Sequence, residues 1–502
     1  AYSELKEIQE LIWELSGAIL FFFIAIAVPV LAQNPTHDSY LKAQAAIERA
    51  VTAYGGSDAL RDLKTIKIEA AGDSVHRNQS RKPFTSDRTP FKIDLTIDVE
   101  NTQAIQVIDG GYPGDFHYSS GFAVIGTEGR SWDVIRKSRR VIPNVPASAV
   151  RQRFRYYPHL MVRDAMRRSA GARHLGTARA EGVDCDVVTY TNEDNATQSL
   201  YIDTKGGRLV KVESLTSDAF AGDAVLETVY TGTAEQPAGR ISRVGGEMTE
   251  DLKYNKYAIN EPIAESAYVM PSDFEEFRNV PQSDPVQKHA DGIYTVTAGG
   301  YNVLFVEFSD HIFVMEAPGG DNVSRQAIAA IKRTVPNKPI RYIAVTHHHD
   351  DHAGGVRTYI AEGATLLALP NEKPFFEKVV TSKFAINPDS LARSPRPLKV
   401  ETISNGKRVL SDGTRTVELY DIGPGPHTEQ MLVAYVPALK AVFQGDLLNR
   451  PSNGDHPIAN DTSAHFLNWI DKQAFQVKSV IPVHGTVTTI EEFRKAVGNM
   501  KK

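Results

Sequence analysis

The chain of 502 residues contains a single cysteine, Cys185, so cysteine can contribute little to the stability of its fold. One thiol cannot form a disulfide within the chain, which excludes the disulfide-stapled class of small secreted scaffolds. Cysteine usage therefore gives no indication of the cellular compartment. Cys185 lies in an alternating apolar and polar segment, VDCDVVTY, which predicts a strand.

A strong excess of one charge is also missing. Lysines and arginines total 56 and acidic residues 61, for a formal net charge of -5. This balance provides no overall attraction to nucleic acid, and nucleic acid is not expected as a partner. Arginines are concentrated between residues 136 and 173. We interpret that interval as a solvated basic face and predict helix over about residues 135–175.

Several sequence motifs of other enzyme classes are absent. The chain has no nucleophile elbow of the Ser-His-Asp hydrolases, no phosphate-binding glycine loop and no dinucleotide fingerprint. Neither an internal repeat nor a low-complexity tract interrupts it. The composition is that of a globular protein, and the length calls for at least two domains.

A long hydrophobic run is also missing, since the longest apolar stretch spans only residues 18–32. Fifteen residues suit an export signal better than a membrane span, so we expect cleavage after Ala32 and a periplasmic or secreted protein. The alternatives are an uncleaved segment that anchors the protein or associates transiently with a membrane, and a plain buried helix. Residues 1–17 are atypical of a signal, with four glutamates against one lysine.

The pattern along the chain predicts two folded domains after this segment. Residues 34–280 begin with a helix that glycines 55 and 56 end, and continue as mainly antiparallel strands with a hairpin turn at residues 204–207. A segment rich in proline and acidic residues places the boundary near residue 280. Residues 281–502 then alternate between strand and helix patterns, which predicts an α/β domain.

The second domain contains an unusual histidine cluster. Residues 346–355 read THHHDDHAGG, with four histidines and two aspartates in six positions. The apolar strand IRYIAVT precedes them, and we expect a turn over residues 347–352 with helix from Ala353. Residues two apart in an extended turn face the same way, so His347 and His349 can reach one metal ion. Asp351 and His352 are then directed at a neighbouring position.

Three further polar residues follow short apolar strands downstream. His427, Asp446 and His484 come after the strands predicted at residues 417–422, 441–443 and 479–482. Ligands at corresponding strand ends converge on one rim of a sheet, and imidazole and carboxylate are the ligands that a zinc-like ion prefers.

This ordered pattern resembles the metallo-β-lactamase superfamily over roughly residues 285–502. The resemblance implies an αββα sandwich and two zinc or similar divalent ions, with an aspartate bridge of the glyoxalase II and lactonase type. One departure is Glu316, which stands where relatives often have an aspartate. The resemblance assigns His347, His349 and His427 to the first metal, Asp351, His352 and His484 to the second, and Asp446 to both.

The resemblance implies hydrolysis of an ester, lactone, thioester or β-lactam of a small-molecule substrate by a metal-bound hydroxide. Asp351 is the candidate catalytic residue, both as a ligand and as the carboxylate that orients the nucleophile. A mononuclear iron oxygenase acting on persulfides and a non-catalytic lipid- or ligand-binding protein are the alternatives.

The remaining candidates have less defined roles. We expect structural or supporting roles for His348 and Asp350, and either substrate-pocket or solvated positions for His456 and His465. The N-terminal domain weakly resembles periplasmic half-barrels that carry lipid or lipoprotein. Ligand binding, shaping of the site's mouth and dimerisation are equally open roles for it.

Overall fold

The computed structural model of the protein describes residues 34–277, 285–451 and 456–500. The segment at residues 18–32, for which an export signal is predicted, lies outside these described ranges. Among the helices that are described, none has the length and hydrophobicity needed to span a membrane.

Residues 34–277 form a 14-stranded, largely antiparallel sheet with helices packed against it, as predicted. The helices are α1 (Pro35–Ala53), α2 (Gly56–Arg61), α3 (Ala147–Phe154) and α4 (Pro158–Arg167). The strands are β1 (Thr65–His76), β2 (Asp87–Asp98), β3 (Gln103–Tyr112), β4 (Phe116–Ile125), β5 (Glu128–Asp133), β6 (Ser138–Ile142), β7 (Arg173–Ala180), β8 (Val183–Thr191), β9 (Thr197–Asp203), β10 (Leu209–Asp218), β11 (Gly222–Gly232), β12 (Pro237–Val244), β13 (Glu247–Ile259) and β14 (Glu275–Glu276). Their order across the sheet is β14-β6-β5-β4-β3-β2-β1-β13-β12-β11-β10-β9-β8-β7.

The alternation of apolar and polar residues explains which face of this sheet is covered. In β1, Ile66, Ile68 and Ala70 are buried, while the residues between them face the other side. These side chains pack beneath α3 and α4, and a second apolar cluster lies between α1 and strands β8 to β10. Each cluster is a hydrophobic core of its own, so the N-terminal domain does not depend on the site described below.

The arginine-rich interval is only partly helical, contrary to the prediction for residues 135–175. Residues Ser138–Ile142 form the strand β6, which pairs with β5 in register Trp132 to Arg139. Pro143 follows the strand, and Pro146 precedes α3, so the chain cannot be helical across this stretch. The predicted hairpin at residues 204–207 is confirmed, since it joins β9 to β10 with Gly207 at a φ of 72°.

The C-terminal domain is an αββα sandwich, as predicted. Its first sheet has the order β15 (Val286–Ala290), β16 (Ile293–Ala298), β17 (Tyr301–Glu307), β18 (Ile312–Met315), β19 (Ile340–Ala344), β20 (Thr365–Ala368) and β21 (Val400–Thr402). The second has β22 (Lys407–Ser411), β23 (Thr416–Asp421), β24 (Leu432–Val436), β25 (Ala441–Gln444), β26 (Ser479–Pro482) and β27 (Thr488–Thr489). The helices are α5 (Asp321–Thr334), α6 (Asp350–Ala353), α7 (Val356–Ala361), α8 (Lys373–Thr381), α9 (Ser390–Arg393), α10 (Asp461–Asp471) and α11 (Ile490–Gly498).

Three apolar layers hold this sandwich together. One fills the space between the two sheets, with Phe313 and Phe443 fully buried in it. A second lies between the first sheet and helices α5, α7 and α8. The third lies between the second sheet and helices α10 and α11. Because the central strands are covered on both faces, β18, β24 and β25 are fully buried and almost wholly apolar, and polar residues come at their ends.

Two loops of the N-terminal domain contact the C-terminal domain at the rim where these strands end. One is the loop of residues 77–86 between β1 and β2, and the other is the hairpin tip of residues 113–115 between β3 and β4. The amide of Asp350 donates to the carbonyl of Asn78 over 3.2 Å, and Thr462 Oγ1 donates to the carbonyl of Gly114 over 3.1 Å. The rim is therefore built from both domains.

Candidate metal centre

The histidine cluster begins where β19 ends, and a buried glutamate fixes the first residue of the turn. Thr346 donates its backbone N–H to Glu316 Oε1 over 2.8 Å. Helix α6 starts at Asp350, with His349 as its N-cap, earlier than the predicted start at Ala353. Asp351 and His352 therefore project from a helical turn, while His347 and His349 project from the extended segment before it.

Four ligand atoms form a first set, which the structure brings together from three strand ends. His347, His349, His427 and Asp446 each offer an atom, and these atoms all lie within 4.8 Å of one another. The Nε2 atoms of His347 and His427 face each other across 3.2 Å. All three imidazoles are buried. This is the set that the sequence assigned to the first metal, together with the bridging residue.

A second set shares one member with the first. Asp351, His352, Asp446 and His484 also offer ligand atoms within 4.8 Å of one another. His484 Nε2 lies 3.2 Å from Asp351 Oδ2 and 3.3 Å from His352 Nε2. Every residue predicted as a ligand thus occurs in one of the two sets.

Asp446 is the shared residue, and its geometry suits a bridge. Its Oδ2 lies 3.1 Å from His352 Nε2 and 3.4 Å from His427 Nε2, while its Oδ1 lies 3.2 Å from His484 Nε2. The backbone has a φ of 57°, a left-handed conformation that costs a non-glycine residue free energy and recurs at functional sites. The preceding residue, Gly445, lets this strand end pack closely against the histidine turn, since a Cβ at that position would approach Thr346 Oγ1 to 2.3 Å.

The hydrogen bonds of two histidines fix which ring nitrogen is free to bind a cation. His349 Nε2 lies 2.9 Å from the carbonyl of Ser80, and His427 Nδ1 lies 3.2 Å from the carbonyl of Pro113. A carbonyl oxygen only accepts, so these nitrogens carry the protons. In the neutral rings the other nitrogens, His349 Nδ1 and His427 Nε2, keep their lone pairs for a cation. His349 Nδ1 is buried and has no hydrogen-bond partner among the described residues.

The charges of the second set also favour a cation. Burial lowers the pKa of His352, but the carboxylates of Asp351, Asp446 and Glu316 outweigh it and raise that pKa well above the ordinary value. Burial raises the pKa of Asp446, yet the charges of His352 and His484 hold it well below its usual range. The negative charges of three carboxylates around the His352 imidazole thus favour a nearby positive charge, and a metal ion can supply it in place of a proton.

Two histidines of the first set, His347 and His349, are neutral at neutral pH. Burial, together with the neighbouring histidines, lowers the pKa of His347 and of His349 well below the ordinary value. Only the neutral imidazole offers a lone pair to a metal ion. The nitrogen and oxygen donors of the two sets are therefore compatible with binding of divalent metal ions.

Glu316 supports the second set from the end of β18, where relatives often have an aspartate. Its side chain is fully buried, and its Oε2 lies 3.3 Å from His352 Nδ1. Its φ of 97° is again in the left-handed region. The longer side chain still reaches the ring of His352 and leaves Nε2 directed at Asp446.

We expect Glu316→Gln to weaken binding of the second metal by about 10–100-fold, because a supporting partner of a metal-binding histidine contributes about that much. The amide keeps the acceptor for Thr346 but loses the negative charge beside His352. Glu372→Gln is a matched control, because Glu372 is equally buried and burial raises its pKa to about 8. A competition titration with a chromogenic chelator measures both affinities. Unchanged affinity in Glu316→Gln would contradict the assignment.

The other histidine and aspartate candidates fall outside both sets. His348 is buried beside Phe375, with ring centroids 5.7 Å apart, and burial lowers its pKa to about 4. Asp350 accepts a hydrogen bond from Gln79 instead of facing a metal set. His456 is exposed, while the ring of His465 packs close to Gly425, near His427. Cys185 is buried in β8, in the other domain.

Sequence reasoning missed three residues of the centre, Gln79, Ser80 and Pro113. All three lie in loops of the N-terminal domain, and Gln79 Nε2 donates to Asp351 Oδ1 over 2.8 Å. Two of the contacts use backbone carbonyls, which any residue type provides, so no local sequence signal identifies them.

Comparisons with known proteins find matches for the C-terminal part of the chain. Residues 296–480 match the model of the metallo-beta-lactamase superfamily. Among solved structures the chain is similar to the metallo-β-lactamase DIM-1, with 18% identity, 42% of this chain and 94% of that chain covered, and a TM-score of 0.31. It is also similar to the metallo-β-lactamase FIM-1 from Pseudomonas aeruginosa in its mono-zinc form, with 23% identity, 43% of this chain and 96% of that chain covered, and a TM-score of 0.31. A third similar structure is a metallo-β-lactamase from Pontibacter korlensis, with 19% identity, 43% of this chain and 99% of that chain covered, and a TM-score of 0.31.

A search of curated protein sequences finds no significant match. The C-terminal domain has the metallo-β-lactamase fold, on the basis of the family match and the two packed sheets. The match and the two ligand sets support a metal-dependent, hydrolase-type function.

Proposed function

We propose that this protein is a dinuclear metal hydrolase that cleaves an acyl bond of a small-molecule ester, lactone, thioester or β-lactam. The observation that carries the proposal is the pair of ligand sets sharing Asp446. A mononuclear site needs only one of them. A second complete set, with its own buried supporting carboxylate in Glu316, is the arrangement of a two-metal site.

Two bound zinc ions would supply a nucleophile at neutral pH and a Lewis acid for the carbonyl oxygen. The side chains of the two sets determine the charge around these ions. Asp446 and Asp351 are ionised, since burial raises the pKa of Asp351 but the charges of His352 and His484 lower it further. The five imidazoles of the two sets add no negative charge, so two divalent ions held with these two carboxylates would keep a net positive charge that attracts a carbonyl oxygen.

Asp351 is our candidate for proton transfer. Its Oδ2 faces His484 and the second set, and its Oδ1 is held by the amide of Gln79. A carboxylate fixed in this way can orient an attacking water and pass its proton to the leaving group. The low pKa makes Asp351 a weak base, which suits a water whose own proton is already made acidic by a metal ion.

The sequence is also compatible with two other functions. A mononuclear iron oxygenase would use two histidines and one aspartate, and the complete second set of Asp351, His352, Asp446 and His484 favours the two-metal hydrolase instead. A non-catalytic ligand carrier would have no use for seven ligand residues held by a network of supporting hydrogen bonds.

A panel of acyl substrates tests the proposal. Zinc-loaded protein is assayed against lactones, aryl esters, thioesters and a chromogenic β-lactam, and the same protein treated with a chelator and then reloaded is the control. We expect hydrolysis of at least one class that disappears with the chelator and returns with zinc. If protein that holds two metal ions hydrolyses none of these classes, the proposed function is wrong.

A further inference from the structure

The loop of residues 77–86 belongs to the N-terminal domain but reaches the metal centre. Gln79 is half-buried, and its Nε2 donates to Asp351 Oδ1 over 2.8 Å and also to Asp350 Oδ1. An amide nitrogen has two hydrogens, so both bonds are satisfied by one group. These two carboxylates are neighbours in sequence and repel each other, and the shared amide offsets part of that repulsion by donating to both.

This loop is fixed from both sides. Within its own domain, Arg77 pairs with Asp218 and lies 2.8 Å from Glu247, and Asn78 Nδ2 donates to Asp218 over 3.0 Å. Across the domains, the amide of Glu429 donates to the carbonyl of Arg81 over 3.0 Å. The loop is therefore rigid enough to impose a position on a side chain that it contacts.

We propose that Gln79 is a positioning residue of the metal centre, which the N-terminal domain supplies to hold Asp351 in its metal-binding orientation. This inference rests on the proposed function. Asp351 has two oxygens, and tying Oδ1 to Gln79 leaves Oδ2 directed at His484 and His352, at 3.2 and 3.5 Å. Without that bond the carboxylate can rotate, and the second set loses its order.

The chemical type of the partner supports this role. A lysine or arginine at position 79 would neutralise Asp351 and repel a metal ion, while a neutral amide fixes the carboxylate and leaves its charge for the metal. The neighbouring Ser80 carbonyl orients His349, and the Pro113 carbonyl orients His427. The N-terminal domain thus holds residues of both ligand sets, which gives it a function in the centre itself.

The test compares Gln79→Leu with the wild type. Leucine has a similar size but no donor, so we expect affinity for the second metal to fall by about 10–100-fold and that for the first to change little. With the hydrolysed substrate, kcat should fall while KM stays within about twofold, because Asp351 acts in the reaction step. Gln79→Glu keeps the shape of the side chain but adds a negative charge beside Asp351. We expect its affinity for the second metal to fall at least as far as that of Gln79→Leu.

Lys82→Met is the matched control. Lys82 lies in the same loop and forms an ion pair with Glu429 across the domains, with 3.0 Å between Nζ and Oε1, but it contacts no predicted ligand. We expect wild-type metal binding and kcat in this variant, with circular dichroism showing all variants folded. An equal loss in Lys82→Met would assign the effect to docking of the loop and overturn the role of Gln79.

The titration separates the two proposals. If the wild type binds two metal ions but hydrolyses nothing, the proposed function fails, and the metal affinities of Gln79→Leu still decide the positioning role. If Gln79→Leu and Gln79→Glu bind the second metal as the wild type does, the positioning role is wrong whatever the activity. Wild-type protein that binds no metal would overturn both.

Discussion

Replacing His349 with alanine should remove the first metal and lower hydrolysis by several orders of magnitude, while the protein stays folded. The imidazole Nδ1 is one of the three nitrogens of the first set, and the other two cannot hold an ion firmly with one position lost. Loss of that ion removes the nucleophile and the Lewis acid together. This is the largest effect we expect of any single substitution in the chain.

The fold should survive because the hydrophobic cores lie elsewhere. The N-terminal domain has two large apolar clusters and a small one, and the sandwich has three layers. None of them includes a candidate ligand residue. The substitution does leave a small cavity and an unpaired carbonyl at Ser80, which together cost about 2–4 kcal/mol.

His348→Ala is the matched control for this experiment. His348 is in the same turn and equally buried, but it belongs to neither ligand set. Metal content, thermal unfolding and turnover of both variants are measured side by side. Comparable loss of metal and activity in both variants would assign the effect to the packing of the turn and contradict the role of His349 as a ligand. Global unfolding of His349→Ala alone would make the first metal a structural one.

Asp446→Asn should weaken the second metal more than the first and lower turnover by at least about 100-fold. The carboxylate offers Oδ1 to the second set and Oδ2 to both, and the amide replaces one anionic oxygen by a donor that repels a cation. The first set keeps three imidazoles, whereas the second loses one of two carboxylates. The side chain keeps its size, so packing is unchanged.

The control for Asp446→Asn is Asp421→Asn, at the end of β23. That carboxylate is half-buried and accepts the backbone N–H of Gly423 over 2.9 Å, an interaction that asparagine preserves. Metal stoichiometry and turnover should match the wild type there. Should Asp446→Asn retain two metals and wild-type turnover, Asp446 is not the bridge and the ligand assignment must be redrawn.

The positions of the candidate ligand residues were predictable because the fold places them by a simple rule. His427, Asp446 and His484 each follow a buried apolar strand, and the carboxyl ends of adjacent strands meet at one edge. The alternation of strand and helix predicted an α/β domain, and the resemblance to the metallo-β-lactamase superfamily implied the sandwich. One detail differed, since the helix starts at Asp350, where an aspartate is favourable in a first helical turn.

The contribution of the N-terminal domain was not predictable in this way. Gln79 and Asp351 are 272 positions apart in the chain, and their contact depends on how two separately folded domains dock. Ser80 and Pro113 act through backbone carbonyls, which every residue type has, so the sequence does not reveal these contacts. The helix predicted for the arginine-rich interval was wrong over β6 for a similar reason. Residues of β6 pair with β5, and this contact within the sheet outweighs the local helix propensity.

The most direct test of the central claim is the metal content of purified wild-type protein, measured by elemental analysis together with oxygen consumption during turnover. The shared position of Asp446 between two complete ligand sets predicts two divalent ions per chain, zinc first among them, and turnover without oxygen uptake. One iron per chain with oxygen uptake, or folded protein that binds no metal, would contradict the claim.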